Sequence, residues 1–336
     1  MIKNSVKIIA EAGVNHNGSL KEAKKLIDCA SKAGADYVKF QTFLAEDLAT
    51  KLSPKASYQK TGTKKKETQY EMLKKLELKK NDYLVLKKYC KKKKINFLSS
   101  PFSIKSFDLL NKIGLKEIKI PSGEIDNYPL LKHIGKYKKK IILSSGMSTL
   151  EEVSRAVKIL NKAGTQKNKI TVLHCNSEYP TPFENVNLKA MNTIKYKLGV
   201  KVGYSDHTLG YTVPIAAVAL GASIIEKHFT LNKKSIGPDH KASLNSLEFI
   251  EMVKKIKNTE KILGSYIKKP TKGELKNKKV VRKSIVAKIE IKKGDVFSNK
   301  NISTKRPAIG LSPKNWSKIV GKKSKYNFKI DQPIKI

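Results

Sequence analysis

Eight short apolar segments rich in β-forming residues recur along the chain, and each ends at or near a glycine, a serine, a histidine or a carboxylate. Helical patterns or longer connections follow them. Parallel strands need such crossovers and a closed ring leaves no strand edge exposed, so the repeat predicts a (β/α)8 TIM barrel. An open doubly wound sheet is the alternative, but no G-x-G-x-x-G pattern follows the first segment. The predicted strands cover residues 7–13, 37–43, 96–102, 117–123, 140–146, 171–179, 202–207 and 224–230.

Amphipathic spacing predicts helices between and after these strands, at residues 19–33, 103–113, 149–163 and 246–263. The third pattern is the clearest. Thr149 stands where an N-cap is expected, and Glu152 lies three positions later, as in a capping box. The polar connection 45–80 is too long for a simple strand-to-helix turn, and we expect it to cover or flank the mouth of the barrel.

The helical repeat stops near residue 265, which predicts a barrel domain over residues 1–264. A charged segment with Pro270 and Gly273 follows, and we interpret residues 265–279 as a linker. Residues 280–336 have short strands, repeated glycine and proline, and one small helix near 313–319. So small a unit has only a marginal core, and we expect it to pack on a barrel, its own or that of a partner.

Composition excludes several classes of protein. No apolar run reaches the ~20 residues of a membrane span, and the amino terminus lacks the apolar stretch of a signal peptide. The three cysteines, Cys29, Cys90 and Cys175, are widely spaced and form no C-x-x-C pattern, which predicts neither a disulfide framework nor a zinc ribbon. We therefore expect a soluble, cytoplasmic protein with no membrane partner.

The formal net charge of +42 raises the possibility of nucleic-acid binding. However, only Arg155, Arg282 and Arg306 among the 70 basic residues are arginine, the residue whose planar fork reads phosphates and base edges. The lysines are spread through every segment without interleaved aromatic residues that would stack on bases. We interpret them as solvated surface residues and expect no nucleic-acid partner.

Two histidines end consecutive predicted strands, the seventh and the eighth. Imidazole is a good ligand for divalent metals, and strand ends hold side chains rigidly, so His207 and His228 are candidate metal ligands at the barrel mouth. The alternative is that each is a buried histidine hydrogen-bonded to backbone.

Lysines and serines at the predicted strand ends suggest an anion site. In a barrel of this type the chemistry collects at the carboxyl ends of the strands. Lys39 and Lys119 lie within strands, and Lys39 shares its alternating phase with Gln41, which favours an inward position. Together with serines they offer the cations and hydroxyl donors that a phosphate needs. The alternative for each lysine is an extended surface side chain. The serines are Ser122, Ser144, Ser177 and Ser205.

Three glutamates on or beside otherwise apolar strands are candidate general acids or bases: Glu11, Glu124 and Glu226. Structural ion pairs with Lys39 or Lys119 are the alternative. Asp239 is a candidate acceptor for substrate hydroxyls, or else an ordinary turn aspartate.

Seven motifs stand in order along the chain: EAGVNHNG at 11–18, VKFQT at 38–42, KIPSGE at 119–124, EYPTP at 178–182, SDHT at 205–208, EKHFT at 226–230 and GPDH at 237–240. Together they resemble the motifs of the N-acetylneuraminate (sialic acid) synthases and the related legionaminic acid synthases. The resemblance covers nearly the whole chain, because the carboxyl-terminal unit, with VRKS at 281–284 and KRP at 305–307, is similar to that family's antifreeze-like SAF domain, a β-clip fold.

The resemblance implies a transferase that condenses phosphoenolpyruvate with an open-chain N-acetylated hexosamine, releasing phosphate and leaving a nine-carbon 2-keto acid. It implies that phosphoenolpyruvate is held by Lys39, Lys119, Ser122, Ser144, Ser177 and Ser205. It further implies that His207 and His228 ligate Mn²⁺, with Mg²⁺ or Co²⁺ as alternatives, and that Gln41, Tyr179 and Asp239 contact the sugar. Arg306 would reach the acyl group from the partner subunit of a domain-swapped homodimer.

The identity of the sugar stays open at this stage. We expect N-acetylmannosamine, and hence an N-acetylneuraminate synthase; the alternative is 2,4-diacetamido-2,4,6-trideoxymannose, and hence an N,N'-diacetyllegionaminate synthase. Ser177 stands where some relatives have asparagine, and Ala308 replaces a common glycine, which puts acyl-group specificity in question. A 3-deoxy-octulosonate-8-phosphate type of synthase would not need the carboxyl-terminal unit. A polyanion or glycan binder that has kept the barrel is the non-catalytic alternative.

Overall fold

The computed structural model describes residues 5–61, 63 and 66–336, and the chain forms two compact units, Met1–Gly264 and Ser265–Ile336. The strands of the first unit are β1 (Lys7–Gly13), β2 (Tyr37–Thr42), β3 (Asn96–Pro101), β4 (Glu117–Ile120), β5 (Lys140–Ser144), β6 (Ile170–Cys175), β7 (Lys201–Asp206) and β8 (Ile224–His228). Its helices are α1 (Leu20–Ala33), α2 (Ala45–Leu48), α3 (Ser57–Thr61), α4 (Gln69–Leu76), α5 (Lys80–Lys92), α6 (Ile104–Lys112), α7 (Tyr128–Lys136), α8 (Leu150–Ala163), α9 (Lys189–Leu198), α10 (Thr212–Ala219) and α11 (Ser246–Leu263).

The eight strands form one parallel sheet in the order β3-β2-β1-β8-β7-β6-β5-β4. Its two edge strands, β3 and β4, pack side by side and close the ring. The predicted TIM barrel is therefore confirmed, and each predicted strand is present with ends that differ by a few residues. Among the described residues, no helix is long and apolar enough to cross a membrane.

Local capping defines where the outer helices begin. The hydroxyl of Ser19 caps α1, and that of Ser103 caps α6. At α8 the side chain of Thr149 accepts from the backbone N–H of Glu152, whose carboxylate accepts from the Thr149 N–H, so the predicted capping box is confirmed. These caps place each helix start at the carboxyl end of the preceding strand, on the side of the barrel mouth.

Two apolar layers hold the barrel together. The larger lies between the strands and the surrounding helices, and the smaller fills the floor of the barrel interior with Ile9, Leu98, Ile142, Leu173 and Ile224. Side chains alternate along a strand, so the inward positions two residues further on form the next layer towards the mouth. That next layer is polar, as described below.

The long connection between β2 and α5 contains α2, α3 and α4, of which α4 begins with a capping box from Thr68 and Glu71. Apolar residues of α4, including Met72 and Leu76, pack with Val14 and Phe43 beyond the ends of β1 and β2. The connection thus lies at the mouth side of the barrel, as the sequence predicted.

The second unit contains α12 (Lys272–Val281), β9 (Ser284–Ala287), β10 (Ile302–Lys305) and α13 (Trp316–Ile319). Strands β9 and β10 pair antiparallel over a small core that includes Ile285, Phe297 and Phe328. Helix α12 occupies much of the segment that we interpreted as a linker. Its cap explains why, since Thr271 and Glu274 form a capping box that outweighs the neighbouring proline and glycine.

Gly203 of β7 provides a test of the packing in the barrel floor. A Cβ at this position would lie 2.4 Å from the Ile224 carbonyl oxygen and 2.7 Å from Leu173 Cδ2. Because a backbone carbonyl cannot move aside easily, we expect Gly203→Ala to lower the free energy of unfolding by about 1–3 kcal/mol. Chemical denaturation followed by circular dichroism measures this. Gly123→Ala is the matched control, because a Cβ there meets nothing within 4 Å, and equal losses for both variants would contradict the packing argument.

Candidate active site

Strand register brings the predicted polar residues to one level of the barrel interior. Glu11 of β1 lies opposite Lys39 on one side and opposite His228 on the other. On the neighbouring pair of strands Ser205 lies opposite Glu226. Glu11, Ser205 and Glu226 are two residues beyond the level of the apolar floor, and His228 is two residues further along β8, so the pleat turns the same face inward at each. The sequence therefore builds a polar layer directly above an apolar one.

Two lysines and two glutamates in this layer form a buried ion-pair network. Lys39 Nζ lies 2.8 Å from Glu11 Oε2 and 3.9 Å from Glu226 Oε1. Lys119 Nζ and Ser205 Oγ both donate to Glu226 Oε1, each at 3.0 Å. All four charged side chains are at most 5% exposed, so Lys39 and Lys119 are not surface residues. Glu11 and Glu226 do form the ion pairs that were the alternative to a purely catalytic role.

The network separates the protonation behaviour of the two glutamates. Burial raises the pKa of Glu11, and Lys39 offsets this only in part. Burial also raises the pKa of Glu226, but Lys119 and Lys39 together outweigh it, and the net pKa is lowered. Glu226 is therefore a permanent anion that anchors the lysines, whereas Glu11 can hold or release a proton near neutral pH.

Ser100 is a member of this layer that the sequence analysis missed. Lys39 Nζ donates to its hydroxyl at 3.2 Å, and the residue is buried at the end of β3, opposite Gln41. A signal was present, because β3 ends in two serines and the ends of all eight strands meet at the same mouth. Gln41 itself shares the inward phase of Lys39, one step nearer the mouth.

Two of the predicted serines, Ser122 and Ser177, meet at Gly146, just beyond the end of β5. The Gly146 N–H donates to Ser122 Oγ at 3.0 Å, and Ser122 Oγ lies 3.4 Å from the thiol sulfur of Cys175. A Cβ on Gly146 would lie 2.4 Å from Ser177 Oγ, so glycine lets the two hydroxyls approach closely. Ser144 is buried, and its hydroxyl has no hydrogen-bond partner within the described part of the chain. These hydroxyls supply the donors expected for an anion.

The two predicted metal ligands face each other above the ion-pair network. The rings of His207 and His228 have centroids 5.6 Å apart at an interplanar angle of 51°. His207 Nδ1 is hydrogen-bonded to the Asn176 carbonyl, which leaves Nε2 for another ligand. His228 Nδ1 is buried, and no described residue hydrogen-bonds to it. The backbone-bonded alternative therefore holds for one nitrogen of His207 and not for His228.

The donor set fits a divalent ion held by only two side chains. Burial lowers the pKa of His207 to about 4, and burial together with His207 lowers that of His228 well below its ordinary value, so both rings are neutral and can bind metal. No group of three or more metal-ligating side chains occurs in the described residues. Water or substrate would complete the coordination, as an open catalytic site requires.

Gly13 lets three predicted site residues converge. A Cβ there would lie 3.3 Å from both Asp239 Oδ2 and Glu11 Oε1, and 3.4 Å from His228 Cε1. Gly13 also has a φ of +52°, which favours glycine. Asp239 Oδ2 lies 3.9 Å from His228 Nδ1, and burial raises the pKa of Asp239 to about 6. Asp239 is thus a buried member of the site and not an ordinary turn residue.

Tyr179 forms an aromatic wall beside the histidines. Its ring centroid lies 4.1 Å from that of His207 and 6.0 Å from that of His228. Tyr58 of α3 stacks on Tyr179 at 4.6 Å, a contact from the long connection that the sequence analysis did not assign. Nothing in the local pattern around Tyr58 marks it, because the contact joins segments more than a hundred residues apart.

Of the two remaining predicted site residues, Glu124 makes a separate local contact and Arg306 belongs to the second unit. Glu124 follows β4 in a short 3₁₀ helix, and its carboxylate accepts from Asn127 Nδ2 at 2.6 Å instead of pairing with a lysine. Burial raises its pKa. Arg306 belongs to the second unit, where it is exposed in the turn after β10 and precedes a cis proline bond.

Removing the negative charge of Glu226 should destabilise the protein, because the buried lysines then lose a partner. Glu226→Gln leaves two buried lysines with Glu11 as their one remaining partner in the network, so we expect the free energy of unfolding to fall by about 3–5 kcal/mol. Denaturant titration measures the loss. The matched control is Glu22→Gln, whose exposed pair with Lys25 spans 2.8 Å and should contribute less than about 0.5 kcal/mol. Similar small losses in both variants would show that Glu226 does not anchor the lysines.

Known proteins with similar sequences include a family of synthases. Residues 26–268 match the NeuB family and residues 282–336 match the SAF domain. An N,N'-diacetyllegionaminic acid synthase from Campylobacter jejuni is 52% identical over 328 residues, covering 98% of either chain. The synthase of the same name from Legionella pneumophila is 44% identical over 322 residues, covering 95% of this chain and 90% of the relative.

A solved structure has a similar fold. The N-acetylneuraminic acid (sialic acid) synthetase of Leptospira borgpetersenii, crystallised with citrate, is 35% identical and superposes with a TM-score of 0.72, covering 82% of this chain and 90% of that one. The family match spans most of the barrel, and both relatives above extend over nearly the whole length. This chain therefore belongs to the NeuB family and carries that family's SAF domain at its carboxyl end.

Proposed function

We propose that this protein is an N,N'-diacetyllegionaminate synthase, which condenses phosphoenolpyruvate with open-chain 2,4-diacetamido-2,4,6-trideoxymannose. Two relatives with this activity in their names are 52% and 44% identical, whereas the sialic acid synthetase of known structure is 35% identical. The comparisons thus favour the alternative that the sequence left open over N-acetylmannosamine. The observation that carries the chemistry is the buried layer of two lysines and two glutamates beneath the paired histidines.

In this proposal Lys39 and Lys119 hold the negative groups of phosphoenolpyruvate. Both ammonium groups are buried, so they attract an anion more strongly than surface lysines do. Glu226 keeps them in place, and Ser122 and Ser177 add hydroxyl donors beside Gly146. Binding and orientation of the enolpyruvate methylene are the contribution of this half of the site.

His207 and His228 would hold the divalent ion, which the family resemblance implies is manganese. When bound, such an ion acts as a Lewis acid on the sugar aldehyde. Tyr179 and Asp239 lie beside the histidines, and together with Gln41 on β2 they would orient the sugar chain. The methylene carbon of phosphoenolpyruvate then forms the new carbon–carbon bond, water adds at the carbon that bears phosphate, and phosphate leaves as the ketone forms.

Glu11 is the carboxylate best suited to move a proton in this sequence. Its pKa is raised by burial, and its Oε1 faces Gly13 beside His228, near the proposed reacting carbons. Glu226 is held as an anion by lysines, and Glu124 is engaged with Asn127. We therefore propose that Glu11 accepts the proton of the attacking water, with Glu226 as an anchor.

Arg306 is proposed to complete the sugar site from the partner subunit of a homodimer. Its guanidinium is exposed and offers a planar, bidentate hydrogen-bond donor. Lysine cannot supply this geometry, which is a reason for an arginine at this position in a lysine-rich chain.

Phosphate release tests the choice of sugar. With phosphoenolpyruvate and a divalent metal present, we expect kcat/KM for the diacetamido sugar to exceed that for N-acetylmannosamine by about 10-fold or more. The two sugars differ at two substituents, and the enzyme can discriminate at both of them when the sugar is bound. Phosphoenolpyruvate alone is the control for hydrolysis. A higher kcat/KM with N-acetylmannosamine would contradict this assignment and restore the sialic acid reading.

Metal binding tests the roles of the histidines. We expect His207→Ala and His228→Ala each to weaken Mn²⁺ binding by about 100-fold or more, measured from the EPR signal of free Mn²⁺, and to abolish phosphate release. His133→Ala is the matched control, since His133 pairs with Asp108 at 2.7 Å on the outer face. Unchanged Mn²⁺ affinity in either site variant would remove the metal assignment.

A further inference from the structure

A cavity of about 750 Å³ opens on the mouth side of the barrel, next to the paired histidines. Tyr179 connects the two regions, because its ring packs 4.1 Å from His207 and also lines the cavity. Loops that follow β2, β6, β7 and β8 contribute the remaining walls.

Much of this lining is apolar. Tyr58 and Tyr179 stack at 4.6 Å and form one wall. Leu209, in the loop between β7 and α10, is 56% exposed, and it borders the cavity with Pro238 and Ala242. An exposed leucine beside an aromatic pair offers a surface on which a ligand methyl group can bury apolar area.

A few polar groups border the same space. Ser57 and Lys241 can donate hydrogen bonds, and both are exposed. Glu178 Oε2 accepts from Asn185 Nδ2 at 3.0 Å, which orients the carboxylate. An acetamido group has a methyl, a carbonyl and an N–H. The apolar walls suit its methyl, the donors suit its carbonyl and the acceptor suits its N–H.

We propose that this cavity binds the end of the acceptor sugar remote from the aldehyde and selects sugars with a 4-acetamido group and a 6-methyl group. The inference deepens the proposed function and rests on it. With the aldehyde at the histidines, the sugar chain extends past Tyr179, and its far carbons reach the walls of Tyr58 and Leu209. No role in the reaction steps is assigned to either residue; both determine specificity.

The physical basis is the difference between the two sugars. N-acetylmannosamine carries a hydroxyl at carbon 4 and a hydroxymethyl at carbon 6, where the diacetamido sugar carries an acetamide and a methyl. A hydroxymethyl placed against Leu209 and Pro238 loses hydrogen bonds to water without finding a partner, whereas a methyl gains by leaving water. The cavity therefore discriminates by both attraction and desolvation.

Steady-state kinetics on the full-length enzyme test the inference. We expect Leu209→Asn and Tyr58→Ala each to lower kcat/KM for the diacetamido sugar by about 10-fold, mainly through KM. The ratio of kcat/KM for this sugar to kcat/KM for N-acetylmannosamine should also fall in both variants. The KM for phosphoenolpyruvate should stay within about twofold of the wild-type value. Tyr58→Phe keeps the stacking ring and should restore the wild-type ratio.

Leu220→Asn is the matched control, because Leu220 is also exposed (41%) but directly follows α10, outside the lining of the cavity. It should leave both kcat/KM values unchanged. A wild-type ratio in Leu209→Asn and Tyr58→Ala, with an active diacetamido reaction, would overturn this inference and leave the proposed function intact. Wild-type enzyme that turns over neither sugar would instead reject the proposed function and the inference together.

Discussion

The ion pairs of Lys39 and Lys119 with Glu11 and Glu226 are the interaction on which the rest of the site depends. Burying four charges inside a barrel is costly, and apolar residues of similar volume would give a more stable core. The opposite charges balance within one layer, and Ser100 and Ser205 satisfy further hydrogen bonds. In the proposed function this layer would serve as a preorganised receptor for an anion, whose cations need not reorganise when substrate arrives.

Because side chains alternate along each strand, the inward-facing residues form successive layers along the barrel axis. Apolar residues such as Ile9 and Ile224 form the floor; two positions further along the same strands stand Glu11 and Glu226, and two further still stand Gly13 and His228. Rigid support, charge and metal-binding groups therefore follow one another towards the mouth. The period of two in the sequence is what places the proposed metal site directly above the proposed anion site.

The barrel and most of this inner layer could be predicted from the sequence, because strand period and strand ends are local signals. Lys39 and Gln41 were placed inward from their shared phase, and the structure shows Lys39 buried. Contacts between distant segments carried no such signal: the stacking of Tyr58 on Tyr179 depends on how loops return over the mouth. The partner of Glu124 is local, since Asn127 lies three positions later in the turn after β4. Helix α12 was missed for a different reason, since its capping box was outweighed in the sequence reading by Pro270 and Gly273.

The loop after β6 links the two halves of the proposed reaction. Ser177 lies against Gly146 beside Ser122, and two residues later Tyr179 packs on His207 and borders the cavity. Asn176, in the same loop, fixes His207 through its carbonyl. One loop therefore supplies a hydroxyl of the proposed anion site, orients a proposed metal ligand and forms a wall of the proposed sugar site. A substitution that shifts the backbone of this loop would disturb all three, because they share one rigid support.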